Sequence, residues 1–223
     1  MKNKEIQEQR MRGYFLDAAR ELLKAEGLRS ISVRSIAERA GYSYATLYSY
    51  FKDLNELIFL CVQDFYEECK SQVLQSVQRK EKGIRRLKAS VRAYADFFIQ
   101  YPGIFELFFI EKIGNATNKK QVLALIRHSL DNVCEEDWHY CMSQGLLPAD
   151  SIGLMKSQLR HTVLGLLLLY LHRDVPASYA DFVSQLNIAV NAIVDDTFSG
   201  AATATKQTTV NNALISVRIG NNK

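Results

Sequence analysis

The stretch Ser32-Val33-Arg34-Ser35-Ile36-Ala37-Glu38-Arg39-Ala40-Gly41-Tyr42-Ser43-Tyr44-Ala45-Thr46-Leu47-Tyr48-Ser49-Tyr50-Phe51 reads as two short helices hinged at Gly41. Ser32 is a preferred N-cap, and Val33, Ile36, Ala37 and Ala40 fall at i, i+3, i+4 and i+7, one apolar face that packs inward. Gly41 follows the last apolar position, where a left-handed conformation stops a helix and costs little without a Cβ. Ser43 can cap a second helix whose Leu47 and Phe51 lie four apart and face inward, leaving Tyr44, Ala45, Tyr48 and Ser49 on another side. That side is rich in hydroxyls and carries no charge. A helix meant for ordinary solvent usually exposes Lys and Glu, so a carboxylate-free helix of Ser, Thr and Tyr suits a surface of phosphates and base edges, such as the DNA major groove. Periodicity alone fits a helical hairpin that only packs equally well.

Charge separates the two readings. Residues 1 to 52 hold ten Lys or Arg and six Asp or Glu, whereas residues 53 to 223 hold eighteen of each, so the whole formal excess of +4 lies beside the hairpin. A basic end on a neutral body is the electrostatic footprint of a protein that approaches nucleic acid with one face.

With these residues in register, the segment resembles the helix-turn-helix of TetR-type bacterial regulators over roughly residues 9 to 69. Its carriers are Arg12, Ala18-Ala19, Leu22-Leu23, Gly27, Ser32-Val33, Ile36-Ala37-Glu38-Arg39-Ala40-Gly41, Ser43, Thr46-Leu47-Tyr48, Tyr50-Phe51 and Leu57. The resemblance implies that Ser32, Tyr48 and Tyr50 touch phosphates of a double-stranded operator. It places Ser43, Tyr44, Ala45, Thr46 and Ser49 toward the groove. Three positions depart from the family pattern. Leu54 stands where a phosphate-reaching Lys is common, with Lys52 two residues earlier as the substitute; Tyr44 replaces a Lys or small polar residue; and Gly13 interrupts the first helix at about 1 kcal/mol relative to Ala.

Pro102, Pro148 and Pro176 punctuate stretches of helical apolar period, and no period-two alternation precedes residue 199. The expected fold is all-α: a helix-turn-helix domain over 9–69, a helical ligand-binding and dimerisation domain over 70–199, and a polar, flexible tail over 200–223. A long helix is expected from a cap at Asp53 through Val77, another from Ile84 to Tyr101, and a short aromatic one over Ile104–Ile113. Three more are expected: about Asn118 to Gly145, Asp150 to Arg173, and Ser178 onward with Tyr179, Val183, Leu186, Val190 and Ile193 on one stripe. Val163 to Leu171 is apolar all round and far short of the ~20 residues a membrane span needs, which leaves deep core or subunit interface. The resemblance implies a homodimer through the last two helices.

Tyr94, Phe98, Tyr101, Phe105, Phe108, Phe109, Trp138 and Tyr140 are more aromatic surface than a small helical core usually requires. They read as core packing or, with His161, as the lining of a pocket for an apolar or aromatic effector, whose candidates are Tyr94, Phe98, Tyr101, Phe105, Phe109, Trp138 and His161. His161 also fits a satisfied core histidine. Cys61, Cys69, Cys134 and Cys141 form no close pair and read as buried small hydrophobes, with Cys134 and Cys141 sharing a helix face. No metal site and no cofactor is expected. Glu135-Glu136-Asp137 reads as a solvated face. The chain lacks a Gly-rich phosphate loop, a Gly-x-Ser-x-Gly elbow and a Walker-like Lys, so a non-enzymatic transcription regulator is expected, with an all-helical enzyme or carrier as the alternative. The cysteine pattern with the polar start Met1-Lys2-Asn3-Lys4 gives the expectation of a cytoplasmic protein with reduced thiols.

Overall fold

A computed structural model describes residues 2–111 and 119–195 as helices and their connections, with no strand among them. The described parts of Met1–Ser76 and Ala93–Val133 form one compact unit, and those of Val77–Arg92 and Cys134–Lys223 form another. The described residues of 93–133 thus cluster with the helix-turn-helix. The 200–223 tail and Phe198 lie outside the described residues, as do the expected end of the aromatic helix at Ile113 and the start of the next at Asn118.

In the first unit α1 (Lys2–Glu26) runs unbroken through Gly13 and buries Phe15, Ala18, Ala19, Leu22 and Leu23. Gly27, at φ 72°, ends it with its amide on the Leu23 carbonyl. The packing partners are α2 (Val33–Ala40), α3 (Tyr44–Tyr48) and α4 (Leu54–Val77), which supply Ile36, Ala37, Leu47, Leu57, Ile58 and Phe65. Asp53 caps α4 as its spacing predicts, its carboxylate accepting from the Glu56 amide at 2.8 Å. Glu68 of α4 accepts from Arg20 (3.0 Å) and Lys24 (2.6 and 2.9 Å), tying the C-terminal half of α1 to α4.

The helix α5 (Ile84–Gln100) has its last turns in this unit and stops before Pro102. There α6 (Pro102–Phe105) and a π-helical turn over Glu106–Ile110 follow. Gly103 lies against α1 so closely that a Cβ would stand 2.6 Å from the Leu23 carbonyl oxygen.

The single helix expected up to Gly145 is instead three: α7 (Lys119–Arg127), α8 (Ser129–Val133) and α9 (Glu135–Ser143). At the first break Ser129 Oγ donates back to the Ile126 carbonyl at 2.8 Å while pairing with the buried Tyr94 hydroxyl at 2.6 Å, and such back-bonding bends helices. At the second break Cys134 sits at φ −94°, ψ 7°, so Cys134 and Cys141 do not share a helix. All four thiols are buried; burial pushes Cys61 up to about 12 and raises Cys69 and Cys141 as well.

The second unit holds α9, α10 (Ile152–Arg173) and α11 (residues 179–195), with the first turns of α5. On α10 the buried line is Ile152, Met155, Leu159, Val163 and Leu167; on α11 it is Phe182, Leu186, Val190 and Val194. The α11 stripe is therefore offset from the expected one, since Phe182 takes the inward position against Tyr170 (4.9 Å between centroids) and leaves Tyr179 exposed. Tyr140 and His161 are exposed too, so in the single chain His161 is not a core histidine.

The acidic run 135–137 is not wholly solvated. Asp137 is 2 % exposed and accepts from Ser90 Oγ (3.4 Å) and the Gly83 amide (3.5 Å), with the Arg86 guanidinium at 3.6 Å. Placed third in the run, it points inward one residue before the buried Trp138. Among the described residues no helix is long and apolar enough to cross a membrane.

Candidate nucleic-acid interface

Three caps set the geometry of the turn. Ser32 Oγ accepts from the Ser35 amide at 3.0 Å and Ser35 Oγ accepts in return from the Ser32 amide at 2.9 Å, a reciprocal capping box that starts α2. Gly41, at φ 78°, ψ 24°, stops it; the Gly41 amide reaches the Glu38 carbonyl and the Tyr42 amide the Ala37 carbonyl, the two bonds of a Schellman motif. Ser43 Oγ then accepts from the Thr46 amide at 3.1 Å and starts α3. Each feature was readable from residue type and spacing.

The second helix is shorter than expected. It closes at Tyr48, and Phe51 packs from the turn beyond it, 1 % exposed, as Leu47 does from within at 0 %. Five residues cannot hold a helix in water by themselves, so the scaffold holds this one. Arg12 of α1 does part of that work: its guanidinium donates to the Tyr50 carbonyl, lies 4.3 Å over the Phe51 ring and reaches Glu56 at 3.3 Å. Glu56 in turn accepts from the Lys52 amide at 2.8 Å. Arg12 was visible as a residue of the resemblance, but this bracing role needs the tertiary structure.

What α3 leaves outward is Tyr44, Ala45, Tyr48 and Ser49, all exposed, with Thr46 half-buried. Several hydroxyls are partly engaged: Ser43 Oγ with Thr46 Oγ1 at 2.9 Å, Ser49 Oγ with the Ala45 carbonyl at 3.3 Å, and Ser32 Oγ in its cap. The Tyr44 and Tyr48 phenols and the Lys52 ammonium have no partner among the described residues and are exposed. Tyr50 is half-buried, its ring 6.2 Å from Phe15. Leu54 is half-buried at the first position of α4 and offers no charge. The exposed surface around the turn includes one pair that the sequence reading passed over: Tyr42 (38 % exposed) stacks on Tyr14 of α1 (52 % exposed), centroids 6.2 Å apart at 24°. No local signal marks it, because the residue after a left-handed helix cap commonly packs back on its own helix, whereas Tyr42 meets Tyr14 of another one.

The effector candidates fall into two groups. Tyr94, Phe98, Tyr101, Phe105 and Phe109 lie in the first unit. There Phe98 contacts Tyr94 (5.0 Å), Phe105 (5.9 Å) and Phe109 (5.4 Å), mostly edge-to-face, and Tyr101 contacts Phe97 (5.2 Å). Phe109 is half-buried on the π-turn. Trp138 and His161 belong to the second unit; Trp138 is 2 % exposed, its Nε1 without a hydrogen-bond partner among the described residues, and Lys156 Nζ lies 5.6 Å from its ring.

A capped helix-turn-helix with an uncharged outward helix, on a chain whose described residues hold no strand and whose excess positive charge lies at that end, has the geometry of a DNA-binding domain. Residues 15–60 match the family model described as bacterial regulatory proteins, tetR family. The fold is similar to that of a TetR family transcription regulator from Marinobacter aquaeolei VT8, with 20 % identity, coverage of 86 % of this chain and 98 % of that one, and a TM-score of 0.58. It is similar to the transcriptional regulator FadR from Bacillus subtilis in complex with stearoyl-CoA (16 %, 81 % and 96 %, TM-score 0.65). It is also similar to SmeT, the repressor of the Stenotrophomonas maltophilia multidrug efflux pump SmeDEF (16 %, 83 % and 89 %, TM-score 0.59). The family model covers the helix-turn-helix segment, and the likeness to these solved structures is one of fold.

Proposed function

We propose that the chain is a ligand-responsive repressor that binds a pseudo-palindromic operator as a homodimer. The observation that carries the reading is α3 itself: a helix too short to stand alone, capped by Ser43, braced by Arg12 and pinned by Leu47, whose outward side is all hydroxyl, aromatic and methyl groups. In this reading Tyr44, Ala45, Thr46 and Ser49 face base edges with Ser43 at their start, while Ser32, Tyr48, Tyr50 and Lys52 meet phosphates.

Support for two copies comes from the second unit. Leu154, His161, Gly165 and Leu168 form one exposed line along α10, and Ile188 is 67 % exposed on α11. Support for an effector comes from the aromatic cluster around Phe98 and from similarity to FadR, a regulator with stearoyl-CoA bound. Repression is the behaviour named for SmeT.

Selection of duplexes from a random library tests the reading. The wild type is expected to recover half-sites in symmetric pairs, one helical turn (about 34 to 36 Å) or a multiple apart. Tyr44→Ala changes the preferred bases, a lost contact being worth about 1 to 3 kcal/mol of discrimination. Tyr48→Phe weakens binding to every sequence alike and keeps the consensus. A wild type that selects no consensus, or a Tyr44→Ala chain that keeps the wild-type one, overturns the assignment of α3.

A further inference from the structure

The α1 helix begins at Lys2, thirteen residues before the family match starts at residue 15. Every residue from Asn3 to Arg10 is exposed, so the hydrophobic core gives no reason for these turns. Their outward chemistry is not random. Asn3, Gln7, Arg10 and Tyr14 recur at helical spacing along one side. At about 100° per residue, Glu5 lies about 180° and Glu8 about 120° around from Tyr14. From Asn3 to Tyr14 the stripe therefore contains amides, a guanidinium and a phenol; the first carboxylate along it is Asp17, one turn further on and 3.9 Å from Arg20. No acid pairs with Arg10 among the described residues.

At its lower end the stripe meets the reading head. Tyr14 stacks on Tyr42, which also lies 5.6 Å from Phe15, and Tyr42 immediately precedes Ser43, the cap of α3. Neither phenol has a hydrogen-bond partner among the described residues. From Lys2 to Tyr14 the helix extends about 18 Å, against a phosphate spacing of about 3.4 Å along each strand.

We propose that the first four turns of α1 form a second DNA-backbone contact, in which Arg10 and the stacked Tyr14–Tyr42 pair hold phosphates flanking the groove that α3 enters. The inference rests on the DNA-binding reading above and extends its footprint beyond the matched domain. The occupant is DNA because the stripe continues the reading head without a break. From Asn3 to Tyr14 it also offers the donors that phosphate oxygens take, amides, phenols and a guanidinium. Its contribution is independent of base sequence.

The test uses the full chain in anisotropy titrations across about 50 to 200 mM salt, with the duplex selected by the wild type made in two lengths, with and without flanking base pairs. On the long duplex Arg10→Ala is expected to flatten the log-log salt dependence by about 0.9 per bound chain, about 1.8 for the proposed dimer, so that its affinity falls about 12-fold less than the wild type's over that range. Tyr14→Phe and Tyr42→Phe keep the ring stack and lose only a hydroxyl. They are expected to bind every long duplex more weakly, by the same factor, with the consensus unchanged. On the short duplex all three match the wild type. A wild-type slope for Arg10→Ala on the long duplex, with melting temperature unchanged, overturns the inference and assigns the stripe to something other than DNA. If the wild type itself binds neither duplex selectively, it is the regulator reading that fails instead.

Discussion

Asp137 sits in the second unit as a carboxylate 2 % exposed, beside Arg86, Ser90 and the Gly83 amide. Burial pushes its carboxyl above the ordinary range, opposed by the Arg86 charge and by the hydrogen bonds from Gly83 and Ser90. A carboxyl raised in the fold binds its proton more tightly there than in the unfolded chain. Its contribution to stability is greatest below the ordinary carboxylate value and falls as pH rises from that value through the raised one. In Asp137→Asn this dependence is gone. Urea melts of both proteins across that range are expected to show the wild type losing stability relative to Asp137→Asn as pH increases, then running parallel above it. A difference that grows in the wild type's favour with pH would mean that Arg86 outweighs burial. The sequence hid this residue because it stands in an acidic run, where Glu135 and Glu136 are exposed as expected, and only the turn at Cys134 sets which of the three points inward.

Among the helices, the glycines separate local cost from tertiary need. Gly13 is helical, and a Cβ there meets nothing within 4 Å. Gly13→Ala is expected to stabilise the chain by up to about 1 kcal/mol, read as a raised urea midpoint at unchanged slope. Gly103→Ala should do the reverse, by roughly 1 to 3 kcal/mol, because the new methyl meets the Leu23 and Lys24 carbonyl oxygens at 2.6 and 3.0 Å and backbone must shift. Equal effects at the two positions would refute the close packing of α6 on α1. Signals confined to a few neighbouring residues were legible: the caps at Ser32, Ser43, Asp53 and Ser178, the stop at Gly41 and the break at Pro102. Signals that depend on distant partners were not. The bend at His128 needs Ser129 to meet Tyr94 from another helix, and the α11 stripe is settled by Phe182 finding Tyr170. At the candidate interface the caps and the outward residues of α3 could be read, whereas the Arg12 brace and the Tyr14–Tyr42 stack join segments far apart in sequence.

For the whole molecule, the question is which apolar residues belong to one chain and which to a pair. Leu167 is fully buried within the chain, so the apolar run of α10 is not all interface; Leu168 and Leu169 next to it are 42 % and 45 % exposed. Leu167→Glu therefore buries an unpaired carboxylate and is expected to unfold the second unit. Leu168→Glu and Ile188→Glu, in contrast, are expected to leave the helical circular dichroism intact while halving the mass seen by light scattering. Retention of the wild-type mass by both exposed-site variants would remove α10 and α11 from the proposed pairing face.

The brevity of α3 has an evolutionary consequence. Its fold is secured by residues that look inward or lie elsewhere, namely Leu47, Phe51, Ser43 and Arg12, while Tyr44, Ala45 and Ser49 touch little of the chain. Substitutions at those three positions can accumulate almost without penalty to folding. In the proposed reading, a duplicated copy of this gene therefore acquires a new target by drift through intermediates that are each folded, and never crosses a valley of unstable proteins.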